Sequence, residues 1–202
     1  VNESPCQLLD HLRQATRSEH HALDRHPRLN GLLRPGLDLD RYGDALLGLY
    51  PAQHYLEQVA GAAIDRLRLD YRLWRRTASL RDDMERLGLT PTEAVLPPMA
   101  QPRSHGELIG LLYVLEGSRL GARLLADRVR ACLGADTPLS FFADAGGADI
   151  WPAFRRFVQV ECVQLHGKED EKEAAASMAQ QAFAKFSQSL NVSRPVTTLA
   201  IL

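Results

Sequence analysis

The chain has 202 residues, 45% of them hydrophobic, and a formal net charge of −1. That length and apolar share suit one domain with a substantial core, while near-neutrality removes the electrostatic case for nucleic acid or an anionic membrane. No apolar run approaches a membrane span and no secretory leader opens the sequence; the odd set Cys6, Cys132 and Cys162, without metal-ligand spacing, points to a reduced compartment and a cytoplasmic protein.

Ser4-Pro5 opens a predicted helix that runs to about Asp24, with Leu8, Leu9, Leu12, Ala15/Thr16 and Leu23 on one stripe. His20 stands four residues after Thr16 and continues that inward stripe. His21 is rotated about 100° away, in line with Arg13 and Arg17, and is read with His26 as solvated. The helix thus offers an imidazole toward the core with cations beside it. Gly31 to Gly36 is a turn region. A second amphipathic segment from Leu39 to Leu67 contains Pro51, where a break or kink is expected. Trp74 to Leu87 reads as a surface helix with Arg75/Arg76 and Asp82/Asp83 facing water. Four prolines mark a loop between Gly88 and Ser104.

Ser104 caps the next helix, with Glu107 completing a capping box, and Gly134 ends it. A short piece at Leu139 to Phe142 is followed by a glycine turn at Gly146-Gly147. Trp151 to His166 forms a further helix, and His166 to Ala174 a solvated turn. The last helix covers Ala174 to Leu190, and residues 192–202 are a loose tail. No period-two alternation appears before the tail, so the fold is all-α, one domain over 1–202.

The segment from Leu108 to Arg130 holds the central question. Its apolar residues recur at helical spacing, yet Gly117, Ser118, Gly121 and Ala122 interrupt it with small side chains. A glycine inside a helix costs about 1 kcal/mol relative to alanine. Gly117 and Gly121 therefore admit a flat ligand, a closely crossing helix, or a kink.

Several chemistries are absent. The spacing G-S-x-x-G is not a nucleophile elbow, Gly167-Lys168 lacks the rest of a phosphate loop, and no glutamate has a histidine three residues on, as di-iron bundles require. What remains is an inward histidine flanked by cations and a helix whose backbone a flat object can approach. A haem fits that pair: its iron takes an imidazole, its other face needs room for O2, and its propionates seek cations.

LRQATRSEHHALD (Leu12–Asp24) resembles the first-helix signature of bacterial haem oxygenases, and YVLEGSRLGAR (Tyr113–Arg123) resembles their distal-helix signature. Order and separation also match, most closely to the biliverdin-forming enzymes that accompany bacterial phytochromes. The resemblance implies a haem sandwiched between a proximal first helix and a kinked Gly-rich distal helix. It makes His20 the iron ligand and gives Gly117, Ser118 and Gly121 the distal, catalytic wall. Arg13 and Arg17 become propionate cations, while Arg28 and Arg128 would anchor a variant orientation. The implied reaction turns haem, O2 and electrons into biliverdin, carbon monoxide and ferrous iron. A ferredoxin or flavoprotein reductase is the implied electron donor and a bacterial phytochrome the implied recipient.

Glu19 replaces an apolar residue of many relatives, Ala122 the second glycine of the usual pair, and Ser118 the distal aspartate of the animal-type enzymes. Ala122 is expected to narrow the distal space by a methyl. Two other readings stay open: a non-catalytic haem- or bilin-binding carrier of the same fold, and a helical partner-binding domain in which Gly117/Gly121 is a helix crossing.

Overall fold

The computed structural model describes residues 7–91, 95–143, 149–165 and 168–192. Among these are nine α-helices and no strand. The expected first helix is two: α1 (Leu8–Ala15) and α2 (Arg17–Asp24), separated at Thr16, whose φ of −108° leaves the helical well. The Thr16 hydroxyl donates back to the Leu12 carbonyl at 2.7 Å, the local bond by which threonine competes with a helix. Residues 1–6, including Ser4-Pro5, lie outside the described residues. Next come α3 (Pro27–Asn30) and a 3-10 turn, Gly31–Leu33.

The segment expected to break or kink at Pro51 does not break: it is one helix, α4 (Leu39–Leu67), started by the Asp38 carboxylate accepting from the Arg41 N–H at 2.8 Å. The Ser189 hydroxyl donates to the Gly48 carbonyl (2.6 Å) and accepts from the Ala52 N–H (3.2 Å). One rung of the ladder beside the proline is thus carried through an inserted side chain, a recognised way for a helix to accommodate distortion.

Helix α5 (Thr77–Arg86) begins three residues later than expected, and its charges do not all face water. Arg75 and Asp82 are exposed, but Arg76 and Asp83 are buried at 2% and 0%. The charge run is split by a partner on each side, as described below.

The central helix, α6 (His105–Leu133), is continuous over 29 residues. Ser104 Oγ accepts from the Glu107 N–H, while the Glu107 carboxylate turns to the Arg103 N–H, one residue earlier than a capping box requires. Gly134, at φ 99°, ends the helix. Helices α7 (Ser140–Ala143), α8 (Ile150–Gln164) and α9 (Glu169–Leu190) complete the fold. The acidic run from Glu169 is the first turn of α9 rather than a solvated turn, and negative side chains are favoured at that end of a helix. Gly146-Gly147, His166, Gly167 and residues 193–202 of the tail lie outside the described residues.

The core forms where α6 packs along α9. A Cβ on Gly106 would overlap the Glu171 carbonyl oxygen, and one on Gly110 the Ala175 carbonyl oxygen, so two helical backbones meet there without side chains between them. No helix among the described residues is long and apolar enough to cross a membrane. Cys132 is a free, exposed thiol, whereas Cys162 is disulfide-bonded.

Candidate functional site

Helix α9 is the common reference for the two segments singled out in the sequence. Along it, His11 meets Glu173 at 3.4 Å, Gln180 donates to the Ala15 carbonyl at 2.8 Å, and the His20 ring meets the Phe183 ring edge-on at 5.9 Å. The α1–α2 pair therefore ascends in step with α9. Gly106 against Glu171 and Gly110 against Ala175 show that α6 ascends in the same sense. Continuing that register brings Gly117-Ser118 level with Phe183, and so level with His20. Thr16 and Tyr113, one turn below these residues, lie close enough for the threonine hydroxyl to influence the tyrosine. Burial pushes the Tyr113 hydroxyl above the ordinary tyrosine range, offset in part by the nearby Thr16 hydroxyl and the charge of Arg13. By that register His20 on α2 and Gly117 on α6 stand at the same level of α9.

The distal wall is bare. The only neighbour a Cβ on Gly117 would meet is Trp151, at 3.8 Å, and one on Gly121 would meet nothing within 4 Å among the described residues. Beside them Leu120 and Leu124 are 60% and 65% exposed. The helix crossing that these glycines could have served is made instead at Gly106 and Gly110. Ala122 is 2% exposed and packs into the core, so its methyl does not narrow the open face as expected.

The proximal wall carries His20, but not in a packed interior. Its side chain is 61% exposed, and α2 buries no residue. The stripe through Leu12 and Thr16 is buried only as far as Thr16; one turn on, it leaves the core. Asp24 Oδ2 lies 2.9 Å from His20 Nδ1, one turn along the same helix, so the pair engages Nδ1 and not Nε2. His21 is exposed, as expected. His26, expected to be solvated, is half-buried: its Nδ1 accepts from the Arg28 N–H and its Nε2 faces Asn191 Oδ1 at 3.2 Å.

The cations do not converge. Arg13 and Arg17 are exposed beside His20. Arg28 is committed elsewhere, with its Nε 2.9 Å from Asp44 and its guanidinium lying over Gly48. Arg128, two turns beyond Gly121 on the same face, has a buried Nε without a hydrogen-bond partner. By the same register it stands above His20, and Arg13 below it.

Behind the distal wall lies a polar cluster the sequence did not disclose. Ser118 Oγ donates to the Leu115 carbonyl at 2.7 Å and accepts from Arg76 Nη2. The Arg76 side chain is fully buried, its Cζ 4.6 Å from the Phe141 ring centre. Burial first, and then the neighbouring Arg119, press its pKa down to about 9. Glu57 accepts from the Arg76 N–H at 2.6 Å and from the Thr77 hydroxyl. Glu116 pairs with Arg119 at 2.5 Å and accepts from the Tyr71 hydroxyl at 3.0 Å. The only sequence signal for this cluster was its density of charge around Trp74 and Glu116.

Comparison with known proteins decides the family. The family described as heme oxygenase matches residues 6–191. The chain belongs to the haem oxygenase family. A heme oxygenase of Xanthomonas campestris pv. campestris is 45% identical over 56 residues, covering 28% of this chain and 32% of that relative, so the chain spans about a third of the length of the curated relative it matches. Heme oxygenase from Neisseria meningitidis, solved with NO and CO bound, superposes over 91% of this chain and 89% of its own, with a TM-score of 0.69 at 18% identity. Heme oxygenase-1 of the cyanobacterium Synechocystis, solved in complex with heme, covers 92% and 91%, also with a TM-score of 0.69 at 18% identity. Heme oxygenase from Leptospira interrogans covers 91% and 98% at a TM-score of 0.67 and 18% identity. The all-helical, single-domain haem oxygenase architecture is therefore that of this chain.

Proposed function

We propose that the protein binds haem between α2 and α6 and cleaves it, with O2 and electrons, to biliverdin, carbon monoxide and ferrous iron. One observation carries the reading: Gly121 faces open space and Gly117 meets only Trp151, level with an exposed histidine engaged by Asp24 through Nδ1 alone. A flat macrocycle answers both features, and the partnerless Arg128 Nε fits an anionic substituent. Bound haem supplies the iron and the ring that is oxidised, so the oxidation chemistry is its own.

The residues supply placement. His20 Nε2 ligates the iron, with Asp24 fixing the ring through Nδ1. Gly117 and Gly121 let the macrocycle approach the helix backbone and leave O2 a restricted space on the distal side. Arg13 and Arg17, exposed and next to His20, receive the propionates, which favours opening at the alpha carbon. Arg128 is the anchor of the reversed orientation, and Arg28 is withdrawn from that role by Asp44. Ser118 Oγ has spent its proton on Leu115 and one lone pair on Arg76; the second lone pair remains to hold a water at the distal wall. The exposed Arg13 and Arg17 suit an acidic electron donor such as a ferredoxin or flavoprotein reductase. A bacterial phytochrome is the recipient proposed for the bilin.

The test is a haem titration of the purified protein, followed by ascorbate in air with catalase present. The expected result is a ligated band that decays to a bilin spectrum. His20→Ala abolishes the band while His21→Ala and His26→Ala keep it, and the product isomer reports the orientation. A band that never decays identifies a carrier, and loss of the band in His21→Ala would overturn the assignment of the ligand.

A further inference from the structure

The Arg76–Ser118 contact is held from a distance. Asp83 on α5 is fully buried, and both of its carboxylate oxygens are used: Oδ1 accepts from the Ser140 N–H at 2.9 Å and Oδ2 from the Phe141 N–H at 2.7 Å. Burial raises the Asp83 carboxyl above the usual range, against the pull of these amides. A buried charge is a costly way to start a helix of four residues. What that short helix delivers is the Phe141 ring, laid against the Arg76 guanidinium at 4.6 Å. Arg76 in turn reaches Ser118 beside Gly117.

We propose that Asp83 is a positioning residue for the reaction: by gripping the Ser140 and Phe141 amides it fixes the ring that holds Arg76 on Ser118. The proposal rests on the haem oxygenase reading for its consequence, but its geometry can be tested without haem. Asparagine at position 83 keeps one acceptor and turns an amide N–H₂ toward a backbone donor, so one grip is lost while the volume is kept.

The first measurement is the Arg76 Nε–H resonance of the haem-free protein by 15N NMR, identified by its absence in Arg76→Lys. In the wild type it is shifted upfield by the Phe141 ring and slow to exchange. In Asp83→Asn it moves toward the ordinary arginine position and exchanges faster. In Asp82→Asn, an exposed neighbour, it stays. An unmoved resonance in folded Asp83→Asn overturns the proposal.

The second measurement separates binding from turnover. Asp83→Asn and Phe141→Leu hold haem within about twofold of wild type, yet single-turnover bilin formation falls about tenfold or more, as expected when a group near the chemistry is misplaced. Arg76→Lys combined with Asp83→Asn falls no further than Arg76→Lys alone. Should Asp83→Asn fail to fold, full turnover in Phe141→Leu overturns the proposal by itself. Full turnover in Arg76→Lys overturns it too, by removing the role of Arg76, and leaves the NMR result as a statement about structure only. Absence of any ligated haem band in the wild type instead overturns the functional reading beneath it.

Discussion

The two halves of α6 carry the same sequence feature and use it in opposite ways. Gly106 and Gly110, one turn apart, are filled by another backbone; of Gly117 and Gly121, also one turn apart, the first would meet only the rim of Trp151 at 3.8 Å and the second nothing among the described residues. Where the missing side chain is occupied by protein, glycine serves packing. Where it faces open space, the cost of placing glycine in a helix, about 1 kcal/mol against alanine, has no structural return. That asymmetry separates the scaffold half of the helix from the half we propose for haem.

The sharpest way to break the comparison is Gly110→Ala. Its Cβ would collide with the Ala175 carbonyl, a backbone atom that cannot rotate away, so the expected loss is about 3 kcal/mol or more by denaturant unfolding. A loss below about 1 kcal/mol would mean that α6 and α9 part easily. Gly121→Leu tests the other half: the fold is kept, with its melting temperature near wild type, while bilin formation falls by about a hundredfold. Haem uptake is expected to suffer less than O2 reaction, and equal losses would sink the distal assignment. Ser104→Ala removes the cap that precedes the packed half and should cost about 1 kcal/mol with haem affinity unchanged. Smallest of all, Gly121→Ala should leave stability unchanged or raise it by up to about 1 kcal/mol, because the helix gains propensity and the methyl meets no neighbour. A destabilised Gly121→Ala would show that the open face is packed in solution.

Much of this was legible in the sequence, and the exceptions share a cause. Helical spacing located α4, α6 and the stripe leading to His20. The cap at Ser104 and the stop at Gly134 were readable from single residues, because those are local effects. The small-residue run at Gly117–Ala122 was correctly a question, but its answer needed Gly106 and Gly110, which look like ordinary members of an apolar helix. Arg76 and Asp83 were assigned to solvent because charge runs usually are solvated. Their burial depends on Ser118, Phe141 and Glu57, which are distant in sequence, and no local pattern records such partners. His20 fell on the right stripe but not in the core, since the stripe continues past the point where protein covers it. Pro51 was expected to interrupt α4, and only Ser189, at the far end of the chain, shows how the helix continues.

Helix α9 touches both the α1–α2 pair and α6 through residues that belong to neither signature. It is a shared datum line: the heights of α2 and α6 are each set against it, one by His11, Ala15 and His20, the other by Gly106 and Gly110. The α1–α2 junction at Thr16 is where burial ends: Thr16 is buried, and beyond it α2 buries no residue. His20 thus rides on the helix that protein covers least, while the glycines facing it sit on the helix that α9 holds most closely.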